Sequence, residues 1–242
     1  MIALSWSRIS DWRQCPGKFR LKYVEKVANM QGESDNVHLI RGRNVHKTLE
    51  NYVIDKNNGI LSDFCSLTEV ERTKPLIDKI ARQYIIHPEK QIAIDSNFEP
   101  VDWFSKDAWF RVIFDLIGWE KNIPGANGDK LFFGDYKTGK FAEYRGSMDE
   151  PGQLHYAALV GMSVWSQFKE STAVYIYVDH KRTIPLTINM EQRNILEEKL
   201  VNEHDEINED IDAGNFPFKK NEYCKWCDAT KEQCKHGGKR KK

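Results

Sequence analysis

Between Gln91 and Lys137 three short runs, QIAIDSNF, AWFRVIFDLIGW and KLFFGDYK, are rich in aromatic and β-branched residues and separated by turn signals such as IPGANGD. Runs of that kind read as strands, with an antiparallel hairpin among them, so a sheet must stand at the centre of the fold. The flanks read differently. Val37, Ile40, Val45, Leu49 and Val53 recur at helical spacing, and Asn57-Asn58-Gly59 ends that helix. A helix over 67–86 is predicted to be interrupted at Pro75. Near the start, Ser7 is expected to cap a short helix through RISDWRQC, which Pro16-Gly17 breaks before KFRLKYVEKV. Beyond the runs come a helix over 150–168, strands in TAVYIYVDH and TIPLTIN, and a long helix in EQRNILEEKLVNEHDEINEDI. Helices first and then a sheet interleaved with helices make an α/β fold. The 242 residues are read as a single domain: a mainly helical part over 1–88, a core over 89–212, a cysteine-bearing segment over 213–236 and a basic tail over 237–242.

Two of the strands carry carboxylates where apolar residues belong. In FRVIFDLIG, alternation sends Phe110, Val112, Phe114 and Leu116 one way, and Ile113, Asp115 and Ile117 the other. An ionised carboxylate there is costly unless it is paired, hydrogen-bonded or bound to a cation. In LFFGDYKTGK, Asp135 and Lys137 share a face about 6–7 Å apart, with Tyr136 opposite. Two such carboxylates can hold a hard divalent cation. A cation of that type polarises a phosphodiester and acidifies a bound water, and a neighbouring lysine can orient that water or offset the charge growing on phosphorus. A structural Asp–Lys pair is the bland alternative.

The chain carries 36 Lys or Arg against 36 Asp or Glu, so its formal charge is zero, which argues against a passive, non-specific DNA coat. A nuclease escapes that argument because its carboxylates hold cations. No apolar run approaches the ~20 residues of a membrane helix, and the N-terminus is too short and polar for a secretory signal. A cytoplasmic protein, without a membrane partner, is the expectation. There is no G-x-x-x-x-G-K-[ST] phosphate loop. Cys224, Cys227 and Cys234 lie close together in sequence, Cys15 lies near the other end, and Cys65 stands alone. In a reducing compartment that spacing points to metal before disulfides. One centre held by Cys15 and the three late cysteines would staple the chain ends together, as zinc or as an iron–sulfur cluster. A local zinc site with His236 in place of Cys15 is the alternative. Cys65 reads as a buried small hydrophobe.

Asp115 followed by Asp135-Tyr136-Lys137 resembles the D…D-x-K core of the PD-(D/E)XK nuclease superfamily. RGRNVHKTLE resembles the G-x-x-x-H-x-x-L-E helix of its RecB-like branch, and Gln153-Leu154-His155-Tyr156 resembles that branch's Gln/Tyr helix motif. SRISDWRQCPGKFRLKY and NFPFKKNEYCKWCDATKEQC resemble the split cluster segments of AddB-type recombination nucleases and of CRISPR-associated iron–sulfur exonucleases, standing alone as in phage or prokaryotic forms. The gap before Cys234 is one residue longer than is usual there.

The resemblance implies a restriction-endonuclease-like core, a mixed sheet flanked by helices, with a helical N-terminal addition and a C-terminal cysteine cluster. It implies Mg²⁺ or Mn²⁺ held by His46, Asp115, Asp135 and the Tyr136 carbonyl, with Glu50 in reserve. Lys137 would assist the attacking water, and Gln153 and Tyr156 would position it or the substrate. Cys15, Cys224, Cys227 and Cys234 would hold a [4Fe–4S] cluster. The expected activity is a deoxyribonuclease, an exonuclease preferring single-stranded DNA with 5′→3′ as the working polarity, in recombination, repair, or phage or CRISPR DNA processing. A catalytically inactive iron–sulfur or zinc protein that binds or scaffolds DNA is the rival.

Overall fold

The computed structural model describes residues 2–31, 37–60, 67–121, 130–143 and 146–237. Cys65, the IPGANGD turn and residues 238–242 of the basic tail fall outside them. By contact the chain divides into two compact units, one of Met1–Ser34 with Lys199–Lys242 and one of Asp35–Glu198.

The larger unit holds α3 (Val37–Asn57), α4 (Thr68–Gln83), β1 (Tyr84–Ile94), β2 (Pro100–Val101), β3 (Phe110–Glu120), β4 (Lys130–Lys137), α5 (Gln153–Val164), β5 (Glu170–Tyr177) and β6 (Arg182–Asn189). The strands form one six-stranded sheet in the order β2-β1-β3-β4-β5-β6. Every pair is antiparallel except β4 with β5. That parallel pair needs a crossover, which the helix α5 supplies. This is the mixed, helix-flanked sheet the motifs imply.

One face of the sheet is sealed by Val45, Leu49 and Val53 of α3 and Val70 and Ile77 of α4, packed on Tyr84, Ile86, Leu116, Phe132, Tyr136, Val174 and Ile176. Fully burying one such aliphatic side chain contributes roughly 1.5–3 kcal/mol. α4 runs unbroken through Pro75. The helix forgoes one backbone hydrogen bond there and is held by Val70 and Ile77 on either side. α5 is buried continuously from Leu154 to Met162, as expected of a helix apolar all round. At Gly161 a Cβ would come within 2.2 Å of the Phe133 ring, so only glycine allows α5 this close to β4. β1 begins at Tyr84, seven residues before the expected strand, because His87-Pro88 reads as a breaker while the ladder with β3 continues past it.

The alternation in β3 also departs from expectation. Phe114 stacks on Phe133 with centroids 5.0 Å apart, whereas Leu116 lies in the cluster under α3 and α4 with Phe132. Phe132 and Phe133 are sequence neighbours on β4 and face opposite ways. Phe114 and Leu116 therefore face opposite ways too, and the pleat slips at Asp115.

The smaller unit contains α1 (Trp6–Gln14), α2 (Pro16–Phe19), a π-turn over Arg20–Val24, a 3₁₀ turn over Ala28–Met30, the end of α6 (Met190–Ala213) and a 3₁₀ turn over Glu222–Trp226. Ser5, not Ser7, stands at the N-cap of α1, and its hydroxyl contacts that of Ser7 at 3.1 Å. Pro16 opens α2 as its first residue. Buried Asp11 accepts hydrogen bonds from Lys18 at 2.6 Å, Lys22 at 3.0 Å and the Tyr23 hydroxyl at 2.8 Å. Trp12 Nε1 donates to Asp210 at 2.8 Å, and Arg13 pairs with Glu203. The C-terminal segment is joined to the N-terminal helices by Gly17 N–H donating to the Pro217 carbonyl at 3.2 Å and by Asn221 Nδ2 donating to the Gln14 carbonyl at 3.0 Å. No helix among the described residues is long and apolar enough to cross a membrane.

Candidate metal centre and active site

The site lies where β3 and β4 separate. Their last paired residues are Leu116 and Gly134, so Asp115 and Asp135 are the next opposing positions along the two strands. Instead of continuing the backbone ladder, the Tyr136 N–H donates to Asp115 Oδ2 at 2.8 Å. The side chain thus takes over a strand hydrogen bond and fixes its own carboxylate at the fork. The slipped pleat of β3 is what turns Asp115 to this place.

Asp135 and Lys137 share a face, as the alternation of β4 requires, with Lys137 Nζ 2.6 Å from Asp135 Oδ2. That contact is a close charge-assisted pair, so the Asp135 carboxylate is partnered by the lysine although it is buried. Burial raises the Asp135 carboxyl to about 6; Lys137 pulls it down and Asp115 pushes it further up. Lys137 Nζ also donates to Gln153 Oε1 at 2.8 Å and sits over the Tyr175 ring. Gln153 is held at the first turn of α5, where the Gly152 N–H donates to His155 Nδ1 at 3.1 Å. Tyr156, by contrast, is fully buried, its ring edge-on to Phe110.

α3 brings His46 over the fork. Gly42, one turn earlier on the same side, would place a Cβ 3.3 Å from Thr138 Oγ1 just past β4, so glycine permits the approach. Arg41 secures the helix by pairing with Glu69 at 2.7 Å and with Asp179 at 2.5 Å. Asp179 in turn accepts from the Gly139 N–H at 2.7 Å. His46 Nε2 lies 2.9 Å from the Tyr136 carbonyl, and Nδ1 lies 3.4 Å from Asp115 Oδ2. Burial alone would lower the imidazole's pKa, but the facing Asp115 carboxylate, with Asp135 and the Tyr136 carbonyl, raises it above the ordinary histidine value.

Glu89 is the residue sequence reasoning missed. In the β1–β3 ladder it falls opposite Asp115, between the pairs Pro88–Leu116 and Lys90–Phe114, and its φ is +47°. That left-handed backbone is uncommon for a residue with a Cβ. Burial, then Asp115 and Glu50, push its carboxyl pKa up. Ligand atoms of His46, Glu89 and Asp115 lie within 4.8 Å of one another. Glu50 pairs with Lys47 at 2.7 Å. A usable signal was present in the sequence: a glutamate beside a proline in an otherwise β-rich run.

The His46 imidazole with the Glu89 and Asp115 carboxylates makes a donor set that suits a hard divalent cation, and Asp135 lies near Asp115 and His46. Across residues 3–235 the sequence matches the family described as PD-(D/E)XK nuclease superfamily.

The chain belongs to the PD-(D/E)XK nuclease superfamily.

Members of this superfamily cleave phosphodiesters with divalent metal, and the fork places this chain's D…D-x-K residues together. No curated protein matches the chain. Among solved structures it is similar to that of SSO0001, at 16% identity and TM-score 0.44, covering 93% of this chain and 82% of that one. It is also similar to the structure of a protein from Eubacterium rectale named as a candidate exonuclease, at 12% identity and TM-score 0.49, covering 93% and 86%.

In the smaller unit, Cys15 and Cys234 are buried, and Cys224 and Cys227 are partly so. Cys234 and Cys227 pack with Leu21, Met30, Ala229 and Phe218. Burial pushes the Cys227 thiol pKa up, and Cys15 and Cys234 both lie near enough to push it in the same direction. The Asn221 N–H points at Cys224 Sγ from 3.4 Å.

Proposed function

We propose that the chain is a divalent-cation-dependent deoxyribonuclease, an exonuclease of the RecB-like branch acting on single-stranded DNA. The observation that carries this reading is the fork itself: Asp115 and Asp135 on diverging strands, Lys137 2.6 Å from Asp135, and His46 closing the other side. A structural Asp–Lys pair needs neither the second carboxylate nor the histidine.

In this reading His46, Glu89, Asp115, Asp135 and the Tyr136 carbonyl hold Mg²⁺ or Mn²⁺, which when bound polarises the phosphodiester and acidifies water. Lys137, steadied by Gln153 and Asp135, holds the attacking water in line and offsets the charge growing on phosphorus. Tyr156 supports the helix that presents Gln153. The protein works on DNA in recombination, repair, or phage or CRISPR-linked processing, with 5′→3′ as the working polarity.

Cys15, Cys224, Cys227 and Cys234 hold a structural [4Fe–4S] cluster. Supporting this over a local zinc site is the nearness of Cys15 to Cys227, since a site completed by His236 has no use for Cys15. Anaerobically purified protein should be brown and carry about four irons per chain, as Cys₄ ligation implies. A colourless protein with one zinc, unaffected by Cys15→Ala, would refute the cluster.

The substrate reading is tested with Mn²⁺ on 5′- and 3′-labelled single and double strands. Mononucleotide release from one end of single strands is expected. Binding without release from any substrate would favour an inactive DNA-binding protein instead.

A further inference from the structure

Two large aromatic side chains stand in the open on the cysteine-bearing segment. Tyr223 is 49% exposed and Trp226 is 56% exposed. Both belong to the 3₁₀ turn Glu222–Trp226, and their ring centroids lie 6.3 Å apart at an interplanar angle of 42°. The turn is braced from below, because the Asn221 side chain accepts from Tyr223 N–H at 2.9 Å while its amide donates to the Gln14 carbonyl. A single exposed aromatic needs no explanation, but two side by side on a braced turn expose apolar area that folding would otherwise bury.

The charge around them is predominantly positive, although Glu222 and Asp228 are exposed beside them. Lys219, Lys220 and Lys225 are exposed in the same stretch, and Lys225 Nζ sits 3.9 Å from the Trp226 ring centre. In a chain of zero net charge, positions 215–242 carry nine Lys or Arg against three Asp or Glu. A positive surface with solvent-facing π-faces is complementary to a polyanion whose bases are unpaired, because every base offers a stacking face while the lysines take phosphates. A protein partner would be better matched by a larger apolar patch, and duplex DNA hides its base faces.

We propose that Tyr223 and Trp226, with Lys219, Lys220 and Lys225, form a stacking platform that docks a single-stranded nucleic acid. The choice of nucleic acid as occupant rests on the nuclease reading. The surface belongs to the smaller unit and takes part in no chemistry.

The test is fluorescence anisotropy of a labelled oligothymidylate titrated with the intact protein in EDTA, so that nothing is cut. Trp226→Ala and Tyr223→Ala should each weaken binding about tenfold, and Trp226→Phe should restore most of the loss. Lys219→Ala with Lys220→Ala should flatten the salt dependence by roughly 0.7 per phosphate contact removed. Blunt duplex of the same length should compete poorly. Unchanged affinity in Trp226→Ala and Tyr223→Ala, with circular dichroism as in wild type, would overturn the platform. So would an affinity loss in Trp226→Ala that Trp226→Phe does not repair. Cleavage in Mn²⁺, measured separately, tells failure of the platform from failure of the nuclease reading. A protein that cuts but binds equally well without these aromatics sinks only the former.

Discussion

At the scale of single residues, carboxylates are crowded at the fork. Asp115 lies near both Asp135 and Glu89, and both of those carboxyls have pKa values pushed upward, by burial first and by Asp115 in addition. Glu89 adds a backbone in the left-handed region, which costs a residue with a Cβ on the order of 1–2 kcal/mol. Strain of that kind persists at sites where it has a use. Glu89→Gly should therefore raise metal-free stability by about 1 kcal/mol, read by thermal melting in EDTA. The same change should weaken Mn²⁺ binding by roughly tenfold in calorimetric titration. Unaltered Mn²⁺ affinity would remove Glu89 from the ligand set. Lys137→Ala should leave Mn²⁺ binding near wild type while abolishing cleavage, since Lys137 acts on water and phosphate rather than on the ion. Loss of ion binding in that variant would contradict its assigned role.

Elements set how accurately these residues meet. α5 reaches β4 only because position 161 has no side chain, and Phe133, on which it rests, lies two residues before Asp135 on the same face of β4. Gly161→Val should overpack this contact and cost about 1–3 kcal/mol in urea unfolding, with cleavage falling as Lys137 and Gln153 are pushed apart. A wild-type midpoint would show that α5 can back away freely. The same elements show what a sequence reader could see. β4 was legible from end to end, because KLFFGDYK is a short apolar and aromatic run, and the period of a strand then puts Asp135 and Lys137 on one face. Helix α3 was legible from its spacing, and Gly42 and His46 with it. The front half of β1 was not, since His87-Pro88 mimics a strand end, and Glu89 was lost with it. The turn of Asp115 toward the fork was also invisible. It arises from a slip in the pleat that depends on which residue of β4 donates to the carboxylate, and that is a fact of pairing rather than of sequence period.

For the molecule as a whole, the acid sensitivity of the smaller unit follows from two buried groups. Burial lowers the His204 pKa to about 4. The folded state therefore keeps this imidazole neutral while the unfolded chain takes up a proton near pH 6.5. Stability should fall as pH drops from about 6.5 to about 4, by roughly 3 kcal/mol in all, and this contribution should level off below that. Asp11 behaves oppositely in range. Its own burial would raise its pKa, but Lys18 and Lys22 hold it below the ordinary value, so its contribution persists above pH 4 and is lost only as pH falls through the depressed value. Thermal melts from pH 7.5 to 3 should show both declines, and His204→Gln should remove the first one. A flat stability profile down to pH 4 would contradict the neutral, buried histidine. The central claim is that the fork at β3 and β4 is a metal-dependent nuclease centre, and one measurement bears on it directly. Wild type and Asp135→Asn, matched for fold by circular dichroism, are incubated with end-labelled single-stranded DNA in Mn²⁺ and in EDTA. The predicted result is cleavage by wild type in Mn²⁺ alone and none by Asp135→Asn; cleavage that survives either EDTA or the substitution would contradict the account.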